Sequence, residues 1–256
     1  MELQLTENTP DGLLSVVIPN YNYARFVAEA IASIAAQTYS PIELIVVDDA
    51  STDNSVEAIR EALEEHEGRF VSARLIAMEE NAGKLAALNR ALPHVRGKYF
   101  VIHDSDDVLT PGYATRTIAE LEDARAEDPS IAIIYTDCML ISATGETLDR
   151  GKSAAFDPAL LERYSFIPEP AMCLAAPVLD AGPYDEAIRK GTKHHKWKRI
   201  VANGWNGRHI PEPLFCYRMH DGNLSGIGKR VIAEVERGEG GERILSGYWP
   251  LQTTER

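Results

Sequence analysis

The chain has 256 residues, 45% of them hydrophobic and 25% charged, a globular composition that excludes disordered and fibrous classes. Its 39 acidic residues against 26 basic ones give a net charge of −13. That charge argues against broad binding to nucleic acids or anionic membranes, because both depend on basic surfaces. No apolar run reaches the roughly 20 residues of a membrane-spanning helix, and the first twelve residues lack the features of a signal peptide. We therefore expect a cytoplasmic protein.

The first half of the sequence alternates between strand and helix patterns. Short runs of β-branched residues predict buried strands, and apolar residues at helical spacing predict helices between them. Strands are predicted at residues 13–18, 42–47, 71–77, 99–102 and 131–136, and helices at 24–36, 54–66, 83–92 and 111–126. This alternation predicts an α/β fold with a mostly parallel sheet and helices on both faces. Such sheets bind ligands at the carboxyl ends of their strands, where the polar clusters of this sequence lie.

The predicted elements in the second half of the sequence are shorter and less regular. Beyond about residue 151, prolines divide the chain into short pieces, and one further helix is predicted at residues 192–203. Pro211 and Pro213 precede a short apolar piece at residues 214–217.

An acidic cluster follows the predicted strand at residues 99–102. Asp104 and Asp106 are two positions apart, so in extended geometry their carboxylates project to the same side. Paired carboxylates without cysteine or clustered histidine suit a hard cation such as Mg²⁺ or Mn²⁺, which keeps positions open for substrate phosphates. The alternative is an acidic loop that caps the following helix.

Three further polar segments could contact a ligand. Asp49, after the second strand, could accept the imide N–H of a uracil or the hydroxyls of a ribose. Pro19, Tyr21 and Asn22, after the first strand, could form a wall for a base. Lys84 opens a helix, where it could meet a diphosphate. Each also has a structural interpretation as a polar turn or a solvated side chain. Neither a P-loop nor a dinucleotide fingerprint is present.

Taken together and in this order, the polar segments resemble the family 2 glycosyltransferases of the GT-A fold. The matching segments lie at residues 15–22, 46–53, 81–84, 104–107, 183–186 and 210–220. The resemblance implies one GT-A domain over residues 1–225 and a C-terminal extension over residues 226–256. The domain would comprise a nucleotide-sugar half (about 13–138) and an acceptor half (139–225). A sugar nucleotidyltransferase is disfavoured, because the turn after the first strand is not the Gly-rich, Arg-bearing loop of that class.

The resemblance also implies roles by position. Asp49 would hold the nucleotide base, with the turn 19–22 beside it. Asp104 and Asp106 would be the Asp-x-Asp pair that serves the ribose and the metal-bound diphosphate. The implied metal ligands are Asp104, Asp106 and His220, with Ser105 at the nucleotide. The family inverts: an acceptor hydroxyl, deprotonated by a carboxylate, attacks the anomeric carbon while the metal stabilises the leaving diphosphate.

One departure from the family pattern concerns that carboxylate. After the segment 183–186, relatives carry a Gly followed by Glu-Asp, whose Asp is the expected base. Here Gly191 is followed by Thr192 and Lys193. A lysine is normally a cation at neutral pH and cannot take a proton unless it is strongly desolvated.

Three explanations compete for the missing base. His194 or His195 acts as the base, since imidazole has a suitable pKa. Alternatively, Asp185 or Glu186 reaches the site from the neighbouring turn. In the third explanation the enzyme is impaired, or its acceptor brings its own charge.

We therefore predict a metal-dependent glycosyltransferase of the hexosyltransferase type. It would move a sugar from a nucleotide-diphosphate sugar, with a UDP-sugar as the first guess, to a hydroxyl of a cell-surface glycan or lipid-linked acceptor. The basic run at residues 189–199 favours an anionic acceptor and peripheral contact with the inner face of the membrane, unless it is simply a solvated helix face. The alternative is a catalytically impaired module that binds nucleotide sugar without turnover.

Overall fold

The strands of the protein form one sheet. A computed structural model describes residues 9–188 and 193–223, and the backbone of a strand at 242–244. Within these residues the strands are β1 (Leu14–Asn20), β2 (Ile42–Asp48), β3 (Ser72–Ala77), β4 (Tyr99–Ile102), β5 (Val108–Leu109), β6 (Ile131–Ile141), β7 (Thr147–Lys152), β8 (Ala171–Leu174), β9 (Asn206–Arg218) and β10 (Glu242–Ile244). The five strands predicted in the first half are confirmed, and the last of them is longer than predicted.

Helices connect most of these strands. They are α1 (Ala24–Ala35), α2 (Ser55–Glu65), α3 (Lys84–Ala91), α4 (Tyr113–Glu127), α5 (Pro158–Arg163), α6 (Ala175–Asp180) and α7 (His194–Ala202). The predicted helices are confirmed within about two residues at each described end. At the start of α2, Asp53 accepts the N–H of Ser55 at 2.9 Å, and it also accepts the N–H of Ala24 at 3.1 Å. It therefore joins the first turns of α2 and α1.

The sheet has the predicted, mostly parallel arrangement in its first half. The strand order is β10-β7-β6-β8-β4-β1-β2-β3, and β9 pairs with β6 and β5. Strands β4, β1, β2 and β3 are parallel neighbours, whereas β8 runs antiparallel between β4 and β6. The carboxyl ends of β1, β2 and β4 therefore meet at one edge of the sheet, as the sequence predicts.

Alternate side chains of the strands enter two separate hydrophobic cores. Val16 of β1 packs into one core, together with α1, α2 and α4, whereas its neighbour Val17 packs into the other core with α3 and α7. Because successive side chains of a strand point to opposite faces, an almost continuous apolar strand can serve both cores. The predicted α/β fold with helices on both faces is confirmed.

The second half differs from the sequence prediction in the extent of β9. The predicted apolar piece at 214–217 belongs to this much longer strand, which pairs in parallel with β6 along its whole length. Pro211 falls where the register shifts, between the partners of Thr136 and Asp137. A proline has no N–H for the ladder, so an irregularity tolerates it where a regular pairing would not. The short elements β5, β7, β8, α5 and α6 were not predicted.

The C-terminal extension contributes to the same sheet. Strand β10 pairs in parallel with β7, and the rest of residues 224–256 lies outside the described residues. The proposed division into a nucleotide half and an acceptor half stays a prediction. None of the helices in the described part of the chain combines the length and apolar character that a membrane crossing requires.

Candidate functional site

The turns that follow β1 and β2 are tied together at the carboxyl edge of the sheet. Asn20 ends β1, and its amide donates to the carboxylate of Asp48, which ends β2, at 2.8 Å. The other oxygen of Asp48 accepts the N–H of Ser51 at 2.9 Å. Asp48 is buried, so its role is to shape this turn. The hydrogen bonds of Asp48 therefore hold the end of β1 and the turn after β2 together.

The predicted base wall is partly exposed. Tyr21 is 43% exposed and Asn22 is exposed as well, whereas Pro19 is buried within β1. Asn22 has a φ of 57°, and its side-chain oxygen accepts the N–H of Thr52 at 2.7 Å. Asparagine tolerates this left-handed conformation better than most residues. The turn thus presents Tyr21 to solvent at the sheet edge, where an aromatic face can stack on a base.

Asp49 binds the turn that precedes α3. Its two carboxylate oxygens accept the N–H groups of Ala82 at 2.8 Å and Gly83 at 2.7 Å, and the amide of Asn81 donates to it at 3.0 Å. Asp49 is 2% exposed. A carboxylate has about four acceptor positions, so one can still receive a ligand N–H. Its predicted contact with a nucleotide base stays a prediction, and its contact with residues 81–83 explains how Lys84 is placed.

Lys84 bridges two carboxylates at the start of α3. Its ammonium lies 2.5 Å from Asp104 and 2.8 Å from Glu169. Burial alone would lower the pKa of Lys84, but attraction to these two carboxylates outweighs it and raises the pKa well above the usual range. Burial likewise opposes ionisation of Asp104, yet the charges of Lys84 and Lys193 hold its pKa below the ordinary value. The pair is therefore charged at neutral pH.

The acidic cluster is compact, as its spacing predicts. Ligand atoms of Asp104, Asp106 and Asp107 all lie within 4.8 Å of one another. Burial and the charges of Asp106 and Asp104 raise the pKa of Asp107 well above its usual range. One oxygen of Asp107 accepts the N–H of Arg218 at 2.9 Å, and the other has no hydrogen-bond partner in the described part of the chain. Ser105, between the first two acids, is buried.

His220 reaches this cluster from the segment after β9. Its Nε2 lies 3.0 Å from Asp106 Oδ2. The N–H of Gly222 donates to its Nδ1 at 3.1 Å, so the proton of a neutral imidazole lies on Nε2 and points at Asp106. The ring packs against Tyr23, just before α1, and against Phe26 in the first turn of α1, with ring centroids 5.4 and 4.9 Å away. His220 and Asp106 are therefore brought together as predicted.

These groups fit a divalent cation. Three carboxylates this close repel one another, and burial together with that repulsion raises the pKa of Asp107. Carboxylate oxygens, with an imidazole beside them, are the donors that Mn²⁺ and Mg²⁺ take in phosphate-binding sites. The unpartnered oxygen of Asp107 is a further potential ligand for the cation, and the sequence did not single it out.

The candidate bases interact with groups outside the acidic cluster. His194 is buried, and the charges that act most strongly on it come from His195, Lys198 and Glu162. Asp185 is exposed and accepts the N–H of Ala187 at 3.0 Å. None of these charges belongs to the acidic cluster.

The two remaining candidates show the same separation. Among the charges acting on His195 are Lys198 and Asp185. Glu186 is exposed and accepts from the amide of Asn89 at 2.8 Å. The structure thus brings Asp104, Asp106, Lys84 and His220 together and does not join the candidate bases to them by a hydrogen bond between described residues. The base roles stay predictions.

Two further residues act near the cluster: Lys193, whose position the resemblance aligns with the expected base, and Glu169, which had no sequence signal. Lys193, at the start of α7, feels the charges of Glu169, Lys84 and Asp104, and burial lowers its pKa. Glu169 is 2% exposed and pairs with Lys84. Glu169 stands in a broken, proline-rich stretch without a motif. Only the pairing of β8 with β4 places it at the site.

The basic run contributes little free charge where it is described. Lys196 is buried, its ammonium donates to the carbonyl of Gly182, and burial lowers its pKa to about 8. Lys198 lies 2.6 Å from Glu162, and Arg199 donates to the carbonyl of Pro183 at 2.5 Å. Residues 189–192 lie outside the described residues. The described part of the run serves to attach α7 to its neighbours.

The family model for Glycosyl transferase family 2 matches residues 15–153, which is more than half of the chain. The chain belongs to glycosyltransferase family 2. An uncharacterized glycosyltransferase of Methanocaldococcus jannaschii is 28% identical to it over 227 residues, covering 86% of this chain and 76% of the relative. Family and relative together make this protein a glycosyltransferase, and the resemblance seen in the sequence is confirmed.

Solved structures of glycosyltransferases share the fold. A mannosyltransferase of Pyrobaculum calidifontis in complex with GDP-Man and Mn²⁺ has a TM-score of 0.62 at 22% identity, over 88% of this chain and 64% of that one. A fragment of S. aureus TarS in complex with UDP-GlcNAc has a TM-score of 0.64 at 17% identity, over 87% of this chain and 65% of that one. At these identities the comparison shows the GT-A fold. This chain spans a little under two thirds of each neighbour.

Proposed function

We propose that this family 2 glycosyltransferase binds a nucleotide-diphosphate sugar through a divalent cation and transfers the sugar to an acceptor hydroxyl. The observation that carries the proposal is the cluster of Asp104, Asp106 and Asp107, whose ligand atoms lie within 4.8 Å at the carboxyl edge of the sheet. Ligands of open α/β sheets bind at that edge. Lys84 stands beside the cluster and brings a positive charge toward a diphosphate.

Different residues would bind the base, the diphosphate and the cation of the nucleotide-sugar donor. Tyr21 would stack on the base, and Asp49 would accept a base N–H with the acceptor position that residues 81–83 leave open. Two of the three N–H donors of Lys84 serve Asp104 and Glu169, and the third can bind a diphosphate oxygen. Asp104 and Asp106 would hold Mn²⁺ or Mg²⁺, and His220 would be a third ligand only after its Nε2 releases the proton that points at Asp106. When bound, such an ion supplies positive charge that stabilises a leaving diphosphate.

A UDP-sugar is our first candidate for the donor. The support comes from the complex of TarS with UDP-GlcNAc, whereas the complex of the mannosyltransferase with GDP-Man and Mn²⁺ makes GDP the second candidate. A carboxylate such as Asp49 can accept the imide N–H of uracil and equally an N–H of guanine. Binding measurements must therefore separate the two.

For the acceptor we propose a hydroxyl of a cell-surface glycan or of its lipid carrier, reached at the inner face of the membrane. The half-buried Lys193, which interacts electrostatically with Glu169 and Asp104, would add positive charge where the acceptor approaches the sugar. Such a charge favours an anionic acceptor.

The second candidate function is a module that binds nucleotide sugar without turnover. The observation that favours it is the same lysine, because Lys193 stands where relatives carry the acid that deprotonates the acceptor. Binding alone does not distinguish the two functions, since the donor site is common to both. Release of nucleotide from the donor does, because only the enzyme turns over.

Calorimetric titration with UDP, dTDP, GDP and CDP, with and without Mn²⁺, tests the donor site. We expect one nucleotide to bind only with the metal, and we expect Asp106→Ala to weaken that binding at least tenfold, because it removes a ligand and the partner of His220. Asp123→Ala, on the exposed face of α4, is the matched control and should bind as the wild type does. If no nucleotide binds under either condition, the donor-site proposal is wrong.

A further inference from the structure

Glu169 lies opposite the acidic cluster because of how β8 pairs with β4. The antiparallel register sets Tyr99 against Leu174 and Phe100 against Cys173. Continued past both strand ends, this register brings Glu169 beside Asp104. Lys84 confirms the placement, since its ammonium contacts both carboxylates, at 2.5 and 2.8 Å. Glu169 is therefore a fourth carboxylate at the donor site, on a different strand from the acidic cluster.

One oxygen of this carboxylate has no protein partner that the structure describes. Oε2 accepts from Lys84, whereas Oε1 is buried and accepts no hydrogen bond from the described residues. Glu169 as a whole is only 2% exposed. A buried carboxylate oxygen without a donor is costly, and native proteins seldom keep one without a functional reason. Oε1 thus has an unfilled acceptor position, which a substrate hydroxyl would fill once it reaches this buried oxygen.

The charge pattern around Glu169 compensates for the departure at position 193. Where the family resemblance implies an acidic base, this chain carries Lys193, and the carboxylates whose charges act on that lysine are Glu169, Asp104 and Asp107. Asp104 is engaged by Lys84 and belongs to the proposed cation site. Of the carboxylates that act on Lys193, that leaves Glu169 as the one outside the proposed cation site.

We propose that Glu169 is the general base of the transfer reaction, an inference that rests on the proposed function. Oε1 takes the proton of the acceptor hydroxyl as the acceptor oxygen forms its bond to the anomeric carbon. The bond from that carbon to the diphosphate oxygen breaks, and the diphosphate leaves with the electron pair. Glu169, now protonated, returns its proton to solvent after the products leave. Lys84 holds the carboxylate in place through Oε2.

The first test separates chemistry from binding. With the nucleotide sugar that calorimetry selects, UDP-GlcNAc being tried first, nucleotide release in the presence of Mn²⁺ gives kcat with water as the acceptor. We expect Glu169→Gln to lower kcat at least about 100-fold, the usual effect of losing a general base, with the Kd for the nucleotide within about twofold of wild type. Glu162→Gln, which removes the exposed partner of Lys198, is the matched control.

A second test uses a nucleophile that carries no proton. Azide attacks the anomeric carbon without a base, so it forms its C–N bond while the diphosphate leaves. We expect azide to restore nucleotide release by Glu169→Ala and to give a glycosyl azide of inverted configuration. Such rescue would not occur if Glu169 only held Lys84 or the fold in place.

The outcomes distinguish this inference from the proposed function. If wild type binds nucleotide and turns over but Glu169→Gln keeps its kcat, Glu169 is not the base and the donor site stands. If the substitution weakens nucleotide binding and azide fails to rescue turnover, Glu169 positions Lys84 and the inference is wrong. If wild type binds no nucleotide at all, the proposed function itself fails.

Discussion

His194 keeps its imidazole inside the protein, where neither ring nitrogen finds a hydrogen-bond partner among the described residues. Burial, together with the positive charges of His195 and Lys198, lowers its pKa to about 4. The imidazole is therefore neutral in the folded protein at pH values where an unfolded chain would already bind a proton.

This difference makes stability depend on pH. Between pH 6.5 and 4 the unfolded chain binds the proton and the native chain does not, so stability falls as the pH falls through this window. We expect the wild type to lose roughly 1–2 kcal/mol from this residue between pH 7 and pH 5. Urea unfolding of wild type and His194→Leu at both pH values measures it.

The variant should lose less stability than the wild type on acidification. Equal losses of stability in the two proteins would contradict a lowered pKa of His194 as the cause. The same variant also tests His194 as a candidate base, because complete loss of turnover at unchanged stability would support that role.

Spacing along the sequence predicts pairs that are close in the chain, whereas a distant pair such as Asp106 and His220 was expected only from the family resemblance. Asp104 and Asp106 could be paired from their spacing, because two positions along an extended chain face the same side. Glu169 could not be placed, since it is 85 residues from Lys84 in the sequence and only sheet pairing joins them. The predicted bases at 194 and 195 came from the chemistry of histidine, which says nothing about where an imidazole points.

At the scale of the elements, Gly97 fixes how closely β4 can begin beside β1. A Cβ at this position would lie 2.5 Å from the carbonyl oxygen of Leu13 and 2.6 Å from the hydroxyl of Ser15. The N–H of Gly97 donates to that hydroxyl at 2.8 Å, and the hydroxyl in turn donates to Glu43 of β2. The glycine is needed here for close approach of three strands.

We expect Gly97→Ala to destabilise the protein by more than about 2 kcal/mol, because the clash is with backbone atoms that cannot rotate away. Gly68→Ala is the matched control, since a Cβ there meets nothing within 4 Å. Urea denaturation should leave that control within about 1 kcal/mol of wild type. A tolerated Gly97→Ala would mean that β1 and β4 can separate without cost.

The elements that local patterns could predict are those that repeat. Buried strands and amphipathic helices alternate up to β6, and all of them appear near their predicted ends except β6, which continues to Ile141. The extent of β9 was hidden by Pro211 and Pro213, which normally end a strand. In the structure the pairing of β9 with β6 shifts register at these prolines, so the strand continues past them. Local sequence does not reveal this pairing partner.

At the scale of the whole molecule, Arg218 links parts that are far apart in the chain. Its guanidinium donates to the carbonyl of Asp106 at 2.8 Å and to Glu29 of α1 at 2.6 Å. Its side chain is almost fully buried and lies over Phe26, 4.9 Å from the ring centroid. One residue at the end of β9 thus fastens α1 to the acidic cluster.

Arg218→Met should therefore affect both stability and the donor site. We expect a loss of about 3 kcal/mol or more, because the carbonyl and carboxylate partners lose a buried cation. Nucleotide binding that depends on Mn²⁺ should weaken, since Asp106 and His220 lose their support. Arg208→Met, on the same strand but paired with Glu120 and Glu127 near the surface, should cost less than about 1 kcal/mol. Equal effects of the two substitutions would contradict this role.

The pairing of β6 with β9 also sets when the site can exist during synthesis. A chain leaving the ribosome presents Asp106 long before His220, which lies 114 residues further on. Until β9 has docked, the crowded carboxylates lack their imidazole and their arginine, and the contacts that order them carry a large loop-closure entropy. In a partly synthesised chain, strands β1–β4 would then be folded while the acidic cluster still lacked His220 and Arg218. The proposed nucleotide site would therefore be completed last, once β9 has docked on β6.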